Sequence, residues 1–204
     1  MKILIYGTPR SGTTSLMKSL GNQYFFLLEE PFTEWINKSM CEYPLTELNE
    51  HSNIVVKSLA LQKPKSSKNL LEFQLDFAKE FDCVIILDRK NLKEHKESFL
   101  HLYYRLDNLH PSVHQKWTMD VIPKKYQEDF EIDNRYYDLE LQKEHIKRLS
   151  EVLNIPITYY EDLYGNDRKK SFDIINSWNI PIDVNKLNKD LDPIHKLRQK
   201  KSFI

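Results

Sequence analysis

The chain has 204 residues, 30 basic against 30 acidic, two cysteines and a mean hydropathy of −0.60. That length suits one α/β domain with a full core, and the zero net charge argues against a sequence-independent nucleic-acid binder. Cys41 and Cys83 are too few for a disulfide framework and fit a reducing compartment; no apolar run approaches the ~20 residues of a membrane span, and a strand starting at residue 2 is expected to leave no room for a signal sequence.

The first element, Lys2 to Tyr6, is an apolar β-run that breaks at Gly7 into a loop, and the loop opens a helix over 13–20. The spacing Gly7-x-x-x-x-Gly12-Thr13-Thr14 is that of a phosphate-binding loop, except that Thr13 stands where the lysine belongs. In loops that use nucleoside triphosphates this lysine reaches the β- and γ-phosphates. Here the cation lies inside the loop as Arg10, and backbone N–H groups with the Ser11, Thr13 and Thr14 hydroxyls supply donors at a helix N-terminus. Such a cradle suits a smaller anion. Two glycines alone would also fit a tight turn with no ligand.

A second strand, 23–28, runs into Glu29-Glu30-Pro31-Phe32, and a third, 54–58, into Lys57-Ser58-Leu59. A helix over 68–80 precedes the strand 83–88. Ile54-Val55-Val56 and Cys83-Val84-Ile85-Ile86-Leu87 are continuous apolar runs, as strands covered on both faces require. After Asp88 and Arg89, Asn91 and Glu94 read as an N-cap and its N3 partner, opening a helix over 91–104 that carries Ser98. The stretch 106–135, with His110, Pro111 and Pro123, has weak periodicity and is expected to form loops and short helices over the site. A helix over 136–153, a strand over 155–160 and a helix over 168–178 follow, and the tail 183–204 carries Lys196, Arg198, Lys200 and Lys201. Strands alternating with helices predict a single domain, 1–204, of three α/β/α layers around a parallel sheet of about five strands.

The run Thr8-Pro9-Arg10-Ser11-Gly12-Thr13-Thr14 resembles the 5′-phosphosulfate loop of the sulfotransferases that use 3′-phosphoadenosine 5′-phosphosulfate (PAPS). Arg89 after a strand and Ser98 on the next helix resemble that family's 3′-phosphate site, with a spacing one residue longer than in many members. Ile157-Thr158-Tyr159-Tyr160-Glu161-Asp162-Leu163 is similar to its late Tyr-Glu-Asp-Leu segment, where the tyrosine lies near the adenine. The resemblance covers residues 2 to about 163. It implies a P-loop-like fold, PAPS as donor, adenosine 3′,5′-bisphosphate as product and no metal. Donor contacts fall to Arg10, Ser11, Gly12, Thr13, Thr14, Ser15, Arg89, Ser98 and Tyr160, with Lys196 and Arg198 in place of a C-terminal basic loop. Glu161 and Asp162 read as turn and cap residues.

Sulfuryl transfer needs a group to take the acceptor's proton and cations facing the leaving oxygen. The histidine base of many cytosolic members is absent, because Lys57-Ser58-Leu59 has leucine in its place. Lys57 remains as a candidate cation beside Arg10. Carbohydrate-type members instead carry an acidic residue after the second strand, and Glu30 matches it better than Glu29, although a carboxylate at a strand end is also an ordinary solvated group. His110 and His114 form an i, i+4 pair, but His95, His101, His110, His114, His145 and His195 lack a metal-ligand spacing. Phe32, Tyr103, Tyr104 and Trp117 fit either an acceptor-stacking wall or core. The expected protein is a cytoplasmic sulfotransferase of bacterial or viral type, acting on a hydroxyl or amine of a carbohydrate or small molecule, with neither nucleic acid nor membrane as partner. Two rivals are a P-loop kinase, which needs the missing lysine and a metal ligand such as Asp88, and a non-catalytic adenylate-binding module.

Overall fold

The computed structural model describes residues 1–32, 44–107 and 122–192. Five strands, β1 (Lys2–Gly7), β2 (Phe26–Glu29), β3 (Ile54–Leu59), β4 (Cys83–Asp88) and β5 (Ile157–Tyr159), form one all-parallel sheet in the order β2-β3-β1-β4-β5. Among the described residues the helices are α1 (Thr13–Gly21), α2 (Glu47–Glu50), α3 (Leu70–Ala78), α4 (Leu92–Asp107), α5 (Lys124–Ile132), α6 (Tyr136–Leu153), α7 (Tyr160–Tyr164), α8 (Arg168–Ser177) and α9 (Val184–Asp190). The fold is the expected three-layer α/β/α.

The period-2 geometry of a strand splits each apolar run between two cores. Leu4, Tyr6, Ile54, Val56 and Ile86 face α3 and α6 through Phe73, Phe77, Ile146 and Leu149. Ile3, Ile5, Val55, Ile85 and Leu87 face α1, α8 and α9 through Leu16, Leu20, Ile175 and Leu187. A third cluster, with Phe99, Phe130 and Leu139, packs α4, α5 and α6 together. The chain leaving β1 turns to the second face and the chain leaving β3 to the first, so a crevice opens between their carboxyl ends. Ligands of open α/β sheets bind in such crevices.

Several expectations change at the element ends. β2 starts at Phe26 rather than 23, because Gln23 and Tyr24 close the α1 turn with N–H bonds to Leu20 O and Gly21 O at 2.8 and 3.2 Å, Tyr24 having φ 72°. β5 is shorter than 155–160, since Tyr160 already belongs to α7. The tail reading of 183–204 is corrected in part: Asp183 caps α9, accepting from Lys186 N at 3.0 Å, and Leu187 is fully buried against the second face. Phe32 is core, edge-to-face with Phe73 and Phe77, and Tyr103 and Tyr104 pack in the third cluster, so these three form no exposed acceptor wall. Cys41, His110, Pro111, His114, Trp117, His195, Lys196, Arg198, Lys200 and Lys201 lie outside the described residues.

Candidate active site

The cradle is built by two glycines that nothing larger can replace. A Cβ on Gly7 would sit 2.5 Å from Thr13 Cγ2 and 2.9 Å from Leu87 O, and Gly12 has φ 88° with Tyr164 Cε2 2.6 Å from where its Cβ would be. Gly12 opens α1 with no side-chain cap and no acidic residue in the first turn. Asn69, Asn91, Asp167 and Asp183 cap α3, α4, α8 and α9, accepting from amides at 3.0 to 3.3 Å, whereas α2, α5, α6 and α7 start, like α1, without a side-chain cap. An uncapped first turn leaves its N–H groups and the positive end of the helix dipole to a ligand.

The hydroxyls expected to line the cradle are mostly engaged within the protein. Ser11 Oγ, fully buried, donates to Thr8 O at 2.7 Å. Thr14 Oγ1 donates to Glu29 Oε1 at 3.1 Å and accepts from Lys57 Nζ at 2.7 Å. Ser15 hydrogen-bonds Tyr164, whose hydroxyl donates to Gly12 O at 2.7 Å and whose pKa burial drives far upward. Thr13 is buried. Arg10 is the cation of the loop. Arg10 stands at the loop tip with φ 67°, and its Nε donates to Ser98 Oγ at 3.0 Å.

On the β3 side, Lys57 is 96 % buried and spends its three protons on Thr14 Oγ1, Glu29 Oε1 at 3.0 Å and Glu30 Oε1. Glu30 also accepts from Gln62 Nε2 at 2.8 Å through Oε2, so both of its oxygens are occupied. Its backbone sits in the left-handed region, φ 47°, anchored by its N–H to Lys57 O at 2.8 Å. Glu29 is more exposed, 31 % against 12 % for the two side chains, and within the described residues its Oε2 carries no hydrogen bond. Burial works to raise the Glu29 pKa, but the hydrogen bond and charge of Lys57, with Thr14, outweigh it and hold the carboxyl below its ordinary value.

On the β4 side, Asp88 accepts from Thr8 Oγ1 at 2.9 Å and from Lys143 Nζ at 2.6 Å, and Lys143 also donates to Arg89 O at 2.8 Å. His95, fully buried on α4, places Nε2 2.7 Å from Pro9 O. Its pKa is lowered, first by burial.

Arg89 and Ser98, expected to share one phosphate, are not joined to each other. Arg89 bonds Glu94 at 3.2 Å, lies 3.8 Å from Glu161 and stacks its guanidinium 4.4 Å above the Tyr160 ring. Tyr160 in turn stacks on Tyr164 at 4.7 Å, beside Gly12, so two of its stacking positions are taken by protein. Glu161 accepts from Lys90 N and Asn91 N at 2.9 and 3.0 Å, and Asp162 bridges Lys90 and Lys170; both roles are structural, but the two residues lie within α7 and tie it to the start of α4, while the next helix, α8, is capped by Asp167. Asn91 Oδ1 accepts from Glu94 N at 3.2 Å as an N-cap, and Asn91 Nδ2 donates to Glu94 Oε1 at 2.8 Å; the Asn91 backbone N–H goes to Glu161, so the reciprocal half of the capping box is not formed.

Among the described residues three buried side-chain atoms lack a hydrogen-bond partner, Ser58 Oγ, Arg89 Nε and His95 Nδ1. They stand at the end of β3, just past β4 and on the first turn of α4, all at the carboxyl edge of the sheet. Buried polar atoms are rarely left unsatisfied, and orphans gathered at one edge fit a polar ligand or ordered water there. A cleft of about 670 Å³ lined by Asp88, Lys143, Lys147 and Tyr159 includes neither Arg10 nor Lys57.

Sequence reasoning missed His95, Gln62, Lys143 and Tyr164. Tyr164 had a local signal, the i, i+4 spacing from Tyr160, and His95 lies one residue past the capping box. Gln62 and Lys143 had none, since only the packing of β3 and α6 brings them to the edge. No family model matches this chain, and no curated protein matches it.

Proposed function

We propose that the protein is a PAPS-dependent sulfotransferase. The observation that carries this reading is the uncapped start of α1 with its cation supplied from within the loop, Arg10, tied to Ser98 at 3.0 Å. When bound, the donor supplies an activated sulfuryl group, and the residues present fit it: loop amides and Arg10 for the phosphosulfate, Arg89 for a second anionic group. Lys57 lies one hydroxyl from the first turn of α1, placed to face negative charge developing there. The acceptor's proton goes to Glu29 rather than Glu30, because among the described residues Glu29 Oε2 carries no hydrogen bond while both oxygens of Glu30 are held by Lys57 and Gln62. Glu30 then acts as the counter-charge that fixes Lys57. The kinase reading finds less support, for Asp88, the acidic residue it would give to magnesium, is bonded to Thr8 and Lys143.

Titration with adenosine 3′,5′-bisphosphate against ATP, followed by incubation with labelled PAPS and panels of sugars, phenols and amines in the presence of chelator, tests the proposal. Preference for the bisphosphate and a sulfated product are expected. Strict magnesium dependence with ATP as donor overturns it. Arg89→Ala is expected to weaken bisphosphate binding by about 1.5–3 kcal/mol while sparing adenosine 5′-phosphate, the range of a hydrogen bond to a charged group; equal losses for both would assign Arg89 to holding Glu94 and Glu161 instead.

A further inference from the structure

Three consecutive residues of the cradle loop are each held by one group from the β4–α4 unit. Thr8 Oγ1 donates to Asp88, the Pro9 carbonyl meets His95 Nε2, and Arg10 Nε donates to Ser98. His95 and Ser98 are three residues apart on α4, so they lie on one face of the helix, above one another. We propose that His95 is a positioning residue for Arg10, holding the Pro9–Arg10 peptide plane so that the loop presents its amide and guanidinium to the donor anion.

The chemistry of the contact fixes its polarity. A carbonyl oxygen only accepts, so Nε2 carries the hydrogen and donates. Asp88 is already served by Thr8 and Lys143 and does not need a second proton on Nδ1, which lies 3.9 Å from it without a hydrogen bond. The imidazole is thus the neutral Nε2–H tautomer, consistent with burial lowering its pKa. Proline at position 9 has no N–H, and its carbonyl belongs to the same planar unit as the Arg10 amide. In a trans peptide the two point in opposite directions. With Pro9 O turned toward α4, Arg10 N–H points away from it, and the φ of 67° at Arg10 is the conformation that this orientation sustains. A residue without glycine's freedom holds such a conformation only when its surroundings over-determine it.

The proposal rests on the donor reading above, and its test separates the two. His95→Gln keeps an amide donor near the Nε2 position, whereas the shorter side chain of His95→Asn does not reach Pro9. Amide exchange followed by NMR at Thr8 and Ser11, whose N–H groups bond Leu87 O and Thr8 O at 3.3 Å, is compared with exchange at Ile5 in the β1 core. Loss of one hydrogen bond predicts about tenfold faster exchange at Thr8 and Ser11 relative to Ile5 in His95→Asn, with most of the protection restored in His95→Gln. The dissociation constant for adenosine 3′,5′-bisphosphate is expected to rise by about tenfold in His95→Asn and to recover in His95→Gln. If His95→Asn does not fold, ¹⁵N shifts of the wild-type imidazole decide the matter: the Nε2–H tautomer supports the proposal and the Nδ1–H tautomer overturns it. Unchanged relative exchange in His95→Asn, or equal loss of protection in both variants, overturns it as well. Wild-type protein that binds no bisphosphate defeats the donor reading and leaves the exchange measurement to decide the role of His95.

Discussion

The two flanks of the cradle hold it by different means. On the β3 side a single buried ammonium, Lys57, is shared by Thr14, Glu29 and Glu30, so the grip on α1 is ionic and desolvated. On the β4 side Asp88, His95 and Ser98 each make one hydrogen bond to successive loop residues, and the compensating cation, Lys143, is 23 % exposed. The difference teaches where charge and where shape are set. A buried ion cluster fixes the electrostatics beside the loop and is costly to disturb, because each partner removed strands another charge. Separate hydrogen bonds, each to its own loop residue, fix the path of the loop and can be lost one at a time.

The comparison is broken most severely by taking away the ammonium or its carboxylates. Glu29→Gln is expected to reduce turnover by ~10²–10⁴-fold at nearly constant donor affinity, the range for removing a general base. Glu30→Gln should act chiefly on stability, seen as a lower urea midpoint. Should steady-state assays instead find Glu30→Gln inactive and Glu29→Gln active, the base moves to Glu30, the residue first read from the sequence. Lys57→Met leaves two carboxylates facing each other without a counter-charge and is expected to cost about 3–5 kcal/mol in urea unfolding. Asp88→Asn, whose partner Lys143 reaches solvent, is expected to cost less; equal costs would show that the two flanks are of one kind.

Acid pH separates the flanks in sequence. The folded-state pKa values of His95 and His145 are lowered, each first by burial, so the unfolded chain binds those protons first and stability begins to fall as pH drops below their ordinary value of 6.5. Glu29, also lowered in the fold, contributes stability that is present above its ordinary value of 4.5 and lost as pH falls through the folded value. Urea midpoints measured from pH 7.5 to 3 should therefore decline in two stages, the first reduced in His95→Gln and the second in Glu29→Gln. A single stage unaffected by either substitution would contradict the assignment.

The smallest effect is expected at Asn91, whose side chain caps α4 at the solvent-facing edge. Asn91→Ala should cost about 1 kcal/mol by thermal or urea unfolding, the usual value of an N-cap. Because α4 carries His95 and Ser98, a loss of bisphosphate affinity in the same variant would show that fraying of this helix reaches the loop.

Much of this was legible in the chain before any fold was known, and the legible parts share a local cause. Gly7 and Gly12 mark a loop because their backbone demands are met within a few residues, and Asn91 with Glu94 marks a helix start for the same reason. Continuous apolar runs foretold a sheet covered on both faces, since strand burial depends on the run itself. Arg89 meets Glu94 and Glu161, the latter 72 residues along the chain, and Ser98 meets Arg10, 88 residues away, pairings that no linear spacing reveals. Tyr164 against Gly12 and Lys143 against Asp88 are likewise products of packing.

By itself, then, the sequence determined the five strands and the helices α1, α3, α4, α6 and α8 that alternate with them, and the type of group at the end of each strand: a glycine loop after β1, acids at the end of β2, a lysine on β3, an aspartate and arginine at the end of β4. Those follow from interactions between residues a few positions apart. Only the tertiary structure decided which of these groups meet. The strand order β2-β3-β1-β4-β5 sets β3 and β4 on either side of β1, and hydrogen bonds and ion pairs, which act over about 3 Å, then select among neighbours that the linear spacing does not bring together.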